Sequence, residues 1–287
     1  MPASVSDLVA TIRSCVECVN NKRWDGLLQY IHSTYNQNGS DYTHESLVTL
    51  VKHHLASGDI HINEDSLLVD ERAQCVSFSI WTKLTPEKPF LGQQPVRREV
   101  LLIGHSFVWF TEGKISKSLF LTNNDDMRKQ LASLNNDYAP DLIRNYPVPE
   151  MEAPVSRETL EEAYRGYVDM VNSRRTETDY AKYVHKPDRL RNNKAIARRV
   201  VEDTLAAMPD LYVEIHTIIA DEETQRVAVW LDFTGTPVKD FAGLVADGRA
   251  VHFNEHATYQ FVDGKIQKIW GIMDLDEARQ QQRSSRF

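Results

Sequence analysis

The sequence predicts an α+β protein made of two tandem domains, each with three helices packed on one face of a curved antiparallel sheet. Three observations predict it. Blocks of sequence recur: LLVDERAQCVSFSIWTKLTP at 67–86 returns as IIADEETQRVAVWLDFTGTP at 218–237, and HSFVWFTEGKI at 105–115 returns as HATYQFVDGKI at 256–266, each 151 positions later. A constant offset through separate blocks marks a duplication. Within each repeat, apolar residues run first at helical spacing and then with a period of two. Between the repeats, Pro140, Pro147, Pro149 and Pro154 punctuate a polar, acidic stretch that reads as a linker. The boundaries that follow are a first domain over 1–132, a linker over 133–155 and a second domain over 156–287.

Each element has its own signal. Helices are predicted over 4–20 and 156–173, where Ser4 or Ser6, and Ser156 or Thr159, can cap the first turn. Thr159-Leu-Glu-Glu162 also fits a capping box. Short helices follow over 23–31 and 176–184, the latter carrying KYVH at 182–185, which resembles QYIH at 29–32. Third helices are expected over 44–56 and 193–207, with Pro209 ending the second. The strands come next. Val227, Val229, Leu231 and Phe233 alternate with Arg226, Ala228, Trp230 and Asp232, and Val76, Phe78 and Ile80 hold the equivalent places in the first repeat. Asp70-Glu71 and Asp221-Glu222 mark turns between strands. Glu112-Gly113 and Asp263-Gly264 are two-residue hairpin signals. About four antiparallel strands per repeat are expected.

Composition narrows the functional classes. Hydrophobic residues are 41% and charged residues 26%, ordinary values for a chain with buried cores. The net charge of −8, without basic runs, argues against nucleic acid and anionic membranes as partners. The N-terminus has no basic segment followed by an apolar run, and no stretch approaches the ~20 apolar residues of a membrane span, so a soluble, cytoplasmic protein is expected. Cys15, Cys18 and Cys75 are too few for a disulfide framework. The Cys15–Cys18 spacing falls inside a helix with no second pair to complete a zinc site. His53, His54 and His61 lack an acidic partner at ligand spacing. No metal and no cofactor is expected, since nucleotide-binding glycine loops and a nucleophile elbow are also missing.

The stretch EHATYQFVDGKIQKIWGIMD at 255–274 resembles the last hairpin of SnoaL-like polyketide cyclases, of the nuclear-transport-factor-two-like superfamily. A strand ends in Phe261, Asp263-Gly264-Lys265-Ile266 makes the turn, and the next strand carries Trp270 and then Asp274. The resemblance spans about 156–280 and, more weakly, 4–132. It implies a cone of helices over a bent sheet enclosing one pocket, with the two repeats forming an internal pseudo-dimer, and so a monomer or a homodimer of such chains. It also implies cyclisation or isomerisation of a small, apolar, carbonyl-rich substrate. Epoxide opening, with Asp232, Asp274 and Arg226 imagined as its charged set, and a non-catalytic carrier role are the alternatives.

The resemblance makes Asp274 the acid/base of an aldol closure. The bland reading is a helix cap, since Asp274-Leu-Asp-Glu277 also starts a C-terminal helix. Glu255 stands out on periodicity alone. It is the one acid on a strand face otherwise made of Val251, Phe253, Ala257, Tyr259 and Phe261. Such a carboxylate must be paired, protonated or functional. It lies in the pocket if this face lines the cone, or beside an arginine if the face packs elsewhere. His256 recurs as His105, which favours a shared structural job over catalysis, and His185 recurs as His32 in the same way. Trp230, Trp270, Tyr164, Tyr167, Met170 and Tyr259 are candidate pocket walls, or simply core. The first repeat carries Asn123, Gly104 and Leu119 where the second has Asp274, Glu255 and Trp270, so the second repeat is the expected active domain.

Overall fold

The computed structural model describes residues 2–55, 60–94, 98–133, 153–185 and 194–284. Linker residues Pro140, Pro147 and Pro149, and the side chains of His53 and His54, lie outside them. The chain divides into two compact units, Met1–Tyr146 and Pro147–Phe287.

The first unit opens with α1 (Val5–Asn20), α2 (Trp24–Leu28), β1 (Ile31–Gln37), β2 (Ser40–Tyr42) and α3 (His44–Leu55). β3 (Asn63–Asp70), β4 (Cys75–Leu84), β5 (Val100–Thr111), β6 (Lys114–Thr122) and α4 (Asn124–Ala132) complete it. Its six-stranded sheet has the order β2-β1-β6-β5-β4-β3, with β1 parallel to β6 and the other pairs antiparallel. The second unit contains α5 (Arg157–Asn172), α6 (Thr176–Tyr183), α7 (Lys194–Ala207), β7 (Tyr212–Asp221), β8 (Arg226–Gly235), β9 (Val251–Val262), β10 (Lys265–Met273) and α8 (Leu275–Ser284). Its antiparallel sheet has the order β10-β9-β8-β7.

The α+β expectation holds in both units, though among the described residues each has four helices rather than three, the fourth (α4 or α8) following the last strand; two further differences are of detail. The first sheet has six strands rather than about four. Asn38 and Gly39 both take positive φ (50° and 81°), which turns β1 back into β2. In the second unit, the described residues at the matching position form an isolated parallel bridge from Val184 to Ile266. The second difference is at α5, where Ser156 is the N-cap and accepts from the Thr159 N–H, so Thr159 sits inside the first turn instead of capping it.

The duplication extends to side chains whose pairing could not be read from sequence. Gln74 and Gln225, both at positive φ, tie the turn after β3 or β7 to the residue before the first helix. Gln74 exchanges two hydrogen bonds with the Ala3 backbone, and Gln225 exchanges two with Val155. Asn20 clasps the backbone of Ile62, and Asn172 clasps Val213. Gln130 clasps Leu101, and Gln281 clasps His252. Each clasp satisfies one backbone donor and one backbone acceptor at once, and the one between Gln130 and Leu101 is buried. The register also breaks at equivalent places. Asp65 on β3 and His216 on β7 are extra residues in equivalent strands, as are Ser116 on β6 and Gln267 on β10. Bulges bend the strand that carries them, so the same curvature is built twice. Both final hairpins turn on two positive-φ residues, Glu112-Gly113 and Asp263-Gly264.

In the second unit the core lies between α5 and one face of the sheet. Leu160, Tyr164, Tyr167, Met170 and Val171 meet Val227, Val229, Leu231 and Phe233 of β8, with Phe253, Ala257, Tyr259 and Phe261 of β9. Among the described residues no helix is long and apolar enough to cross a membrane.

Candidate functional site

Strand alternation decides what shares a face. On β9 the odd-numbered residues from 251 to 261 point toward α5, because five of the six belong to the helix-covered core. Glu255 is the sixth. It is 8% exposed, and among the described residues no donor hydrogen-bonds its carboxylate. The sequence left open whether this face lines the interior; it does. Burial pushes the Glu255 carboxyl up from 4.5 to about 7, with no compensating charge. A carboxyl so poised exchanges protons readily near neutral pH.

Its surroundings are phenolic. Tyr164 and Tyr259 have ring centroids 4.7 Å apart, and Tyr167 lies 6.1 Å from each. All three feel the Glu255 charge, and burial holds Tyr164 and Tyr259 well above the usual tyrosine range. They are therefore hydrogen-bond donors at neutral pH. The Tyr164 hydroxyl is buried and makes no hydrogen bond of normal geometry among the described residues. Tyr259 stands beside it and partly offsets the effect of burial on its acidity without meeting that geometry. A buried hydroxyl left unpaired costs about 1–3 kcal/mol. Met170 is fully buried in the same core, one turn beyond Tyr167.

β10 supplies the remaining wall. Among the described strands it stands at the edge of the sheet, and Gly271 on it is exposed. The Glu255 carboxylate stands directly over Gly271: a Cβ there would lie 2.3 Å from Glu255 Oε1. The acid thus occupies the rim of the core, beside a strand with no side chain at that point.

The other candidates are elsewhere. His256, Trp230 and Trp270 lie on the opposite face of the sheet, since His256 pairs with Trp230 and Ile272 while Trp270 pairs with Thr258. The Trp230 and His256 rings are 6.0 Å apart. His105 holds the matching position in the first sheet, between Ser79 and Leu121, and both histidines are buried. Asp274 is half-buried at the start of α8, where its Oδ1 accepts from the Glu277 N–H at 3.3 Å; its own N–H donates to the Asn254 carbonyl. The cap geometry anticipated as the bland reading is present. Asp232 lies near it, within reach of His252 and accepting from Asn254, on the face away from Glu255. Arg226 bonds Gln260 at the far end of β8 from Asp232, so Asp232, Asp274 and Arg226 form no common charged set. His185 Nε2 donates to the Val262 main-chain carbonyl, 2.6 Å away. Cys15 and Cys18 face the first core, and burial pushes the Cys15 thiol up to about 12. Among the described residues no group of three His, Cys, Asp or Glu side chains is placed to hold a metal ion.

Sequence reasoning missed one participant, Gly271. Its signal was a glycine inside a strand pattern, which marks a close approach by another group.

Comparison with known proteins bears on the second unit. Residues 155–282 match the family model described as SnoaL-like polyketide cyclase, which supports a cyclase or isomerase kind of function. No curated protein matches the chain. Among solved structures, a SnoaL-like polyketide cyclase from Agrobacterium tumefaciens is 28% identical, with 43% of this chain and 97% of that one covered at a TM-score of 0.38. AclR from Streptomyces galilaeus is 18% identical over 46% of this chain and 100% of its own, at a TM-score of 0.39. TsrD from Streptomyces laurentii is 12% identical over 46% and 99%, at 0.41.

Proposed function

We propose, from the premise that residues 155–282 form a SnoaL-like domain, that the second unit cyclises or isomerises a small, apolar, carbonyl-rich substrate, with Glu255 moving the proton. The observation that carries this reading is the lone carboxyl on the helix-covered face, raised to about 7 among three tyrosines. The Glu255 carboxylate takes a proton from the carbon beside a substrate carbonyl. The C–H electron pair becomes the C=C bond of an enolate, and the enolate oxygen receives a hydrogen bond from the Tyr164 hydroxyl, which has no other partner of normal geometry. The enolate carbon then attacks a second carbonyl of the same molecule. That carbonyl's π electrons move to its oxygen, which recovers the proton from Glu255. Nothing is consumed, so the product is an isomer of the substrate. Stopping after return of the proton to a different carbon gives simple isomerisation by the same groups.

The experiment is proton exchange. Wild type is incubated in D2O with a panel of enolisable aryl and alkyl β-diketones, and deuterium incorporation is followed by mass spectrometry. Exchange above the solvent rate that falls at least ~100-fold in Glu255→Gln is expected for loss of a general base. Enhanced exchange that survives Glu255→Gln overturns the assignment.

A further inference from the structure

Glu255 and Gly271 are diagonal neighbours on the helix-covered face, since Gly271 pairs with Ala257 and Met273 with Glu255. The same diagonal in the first unit joins Gly104 and Phe120, where Phe120 pairs with Ser106 and Thr122 with Gly104. There the bulk is reversed. A Cβ on Gly104 would lie 2.7 Å from the Cε2 and Cζ atoms of Phe120, as a Cβ on Gly271 would lie 2.3 Å from the Glu255 carboxylate. Contacts this short are not available to a real side chain, so a Cβ opposite the large group would force the Glu255 carboxylate or the Phe120 ring out of its place on the diagonal. Phe120 is also held in place: its N–H donates to Asn38 Oδ1 at 2.8 Å, and its carbonyl accepts from Asn38 Nδ2 at 2.9 Å. The neighbours change with the diagonal. The first helices are offset by 152, since Ser4 and Ser156 are their N-caps, so Ile12 and Cys15 stand where the second unit has Tyr164 and Tyr167; Val108 stands 151 before Tyr259, and all three are buried in the first core.

We propose that this pair of positions decides which unit can hold a buried acid. Gly271 is the positioning residue that gives the Glu255 carboxylate its seat, and Phe120 fills the equivalent seat in the first unit. Of the two equivalent diagonals one therefore holds an acid, and Phe120→Gly together with Gly104→Glu opens the other to one. The inference concerns where a carboxyl can sit, not what it does there, so it stands or falls separately from any turnover.

The groups facing Glu255 are Tyr164 and Tyr167 from α5 and Tyr259 from β9, none of them charged at neutral pH. Their counterparts in the first unit are less polar still, so a carboxyl seated there is pushed up as well. The test is carboxyl-carbon NMR titration of the full chain labelled at glutamate. In wild type the Glu255 carboxyl is expected to titrate near 7, and Glu255→Gln identifies its signal by removing it. Gly271→Ala, with its circular dichroism unchanged, is expected to lower that midpoint by at least about one unit, because the open direction for the displaced carboxylate is past the edge strand to solvent. In the Glu255→Gln background, Gly104→Glu with Phe120→Gly is expected to add a carboxyl titrating above about 6. An unchanged or raised midpoint in Gly271→Ala, or an added carboxyl in the ordinary range near ~4, overturns the proposal.

Discussion

Replacing Glu255 with glutamine should make the protein more stable, and increasingly so as pH rises. The two side chains have nearly the same shape, so packing is kept and only the charge is lost. In the folded state burial raises this carboxyl from 4.5 to about 7. Between those values the folded chain binds a proton that the unfolded chain releases, so wild-type stability falls as pH rises from the lower to the higher and stays reduced above it. A shift of that size corresponds to about 3 kcal/mol, an order-of-magnitude figure for a group only 8% exposed. The glutamine variant carries no such penalty. Its advantage over wild type should grow by about 2–3 kcal/mol between pH 5 and pH 8.5. The assay is urea unfolding at the two pH values, followed by hydrogen-exchange mass spectrometry on peptides from β8 and β9, so that the second unit is read separately from the first. An advantage that does not change with pH, or that shrinks as pH rises, would refute the claim that Glu255 is buried without a charge partner.

Other outcomes follow from the same geometry. Tyr164→Phe removes a buried hydroxyl with no hydrogen bond of normal geometry, so thermal unfolding should show a gain of about 1 kcal/mol, while proton exchange on a β-diketone falls by roughly tenfold or more. Asp274→Ala loses the bond to the Glu277 N–H and should cost about 1 kcal/mol in urea unfolding while leaving exchange within about twofold of wild type. Gln225→Ala breaks both bonds to Val155 and exposes the start of α5, so amide exchange at 153–160 should accelerate; Gln74→Ala should do the same at 2–8. The exchange rate in wild type should rise with pH through about 7, since the base is the ionised carboxyl, and a profile flat across that range counts against Glu255 as the base.

The repeat and its strand signals made the fold readable before any coordinates. Periodicity in 226–233 set the inward and outward residues of β8 correctly, and Asp263-Gly264 turned where a two-residue hairpin should. Strand β1 escaped because its inward residues, Ile31 and Tyr35, are four apart with polar residues between them, which mimics a helix face as easily as a strand. The glutamine and asparagine clasps escaped for a different reason. Their partners are backbone atoms 29 to 71 residues away, and no local pattern announces them. Within the candidate site, Glu255 was legible as the one acid at apolar spacing, and Tyr164, Tyr167 and Tyr259 as aromatic wall or core positions. Trp230 and Trp270 were named for being aromatic; their parity on β8 and β10 puts them on the other face from Glu255. Parity along β10 could not be carried through from the turn, because the bulge at Gln267 shifts the register there.

The central claim is that a carboxyl at position 255, not the one at 274, moves the proton in a ring closure. Product analysis by mass spectrometry tests it most directly, with wild type, Glu255→Gln and Asp274→Asn each incubated with a panel of linear poly-β-ketones. A new product of unchanged mass is expected from wild type and from Asp274→Asn, and at least ~100-fold less from Glu255→Gln. Turnover that persists in Glu255→Gln and disappears in Asp274→Asn would contradict it.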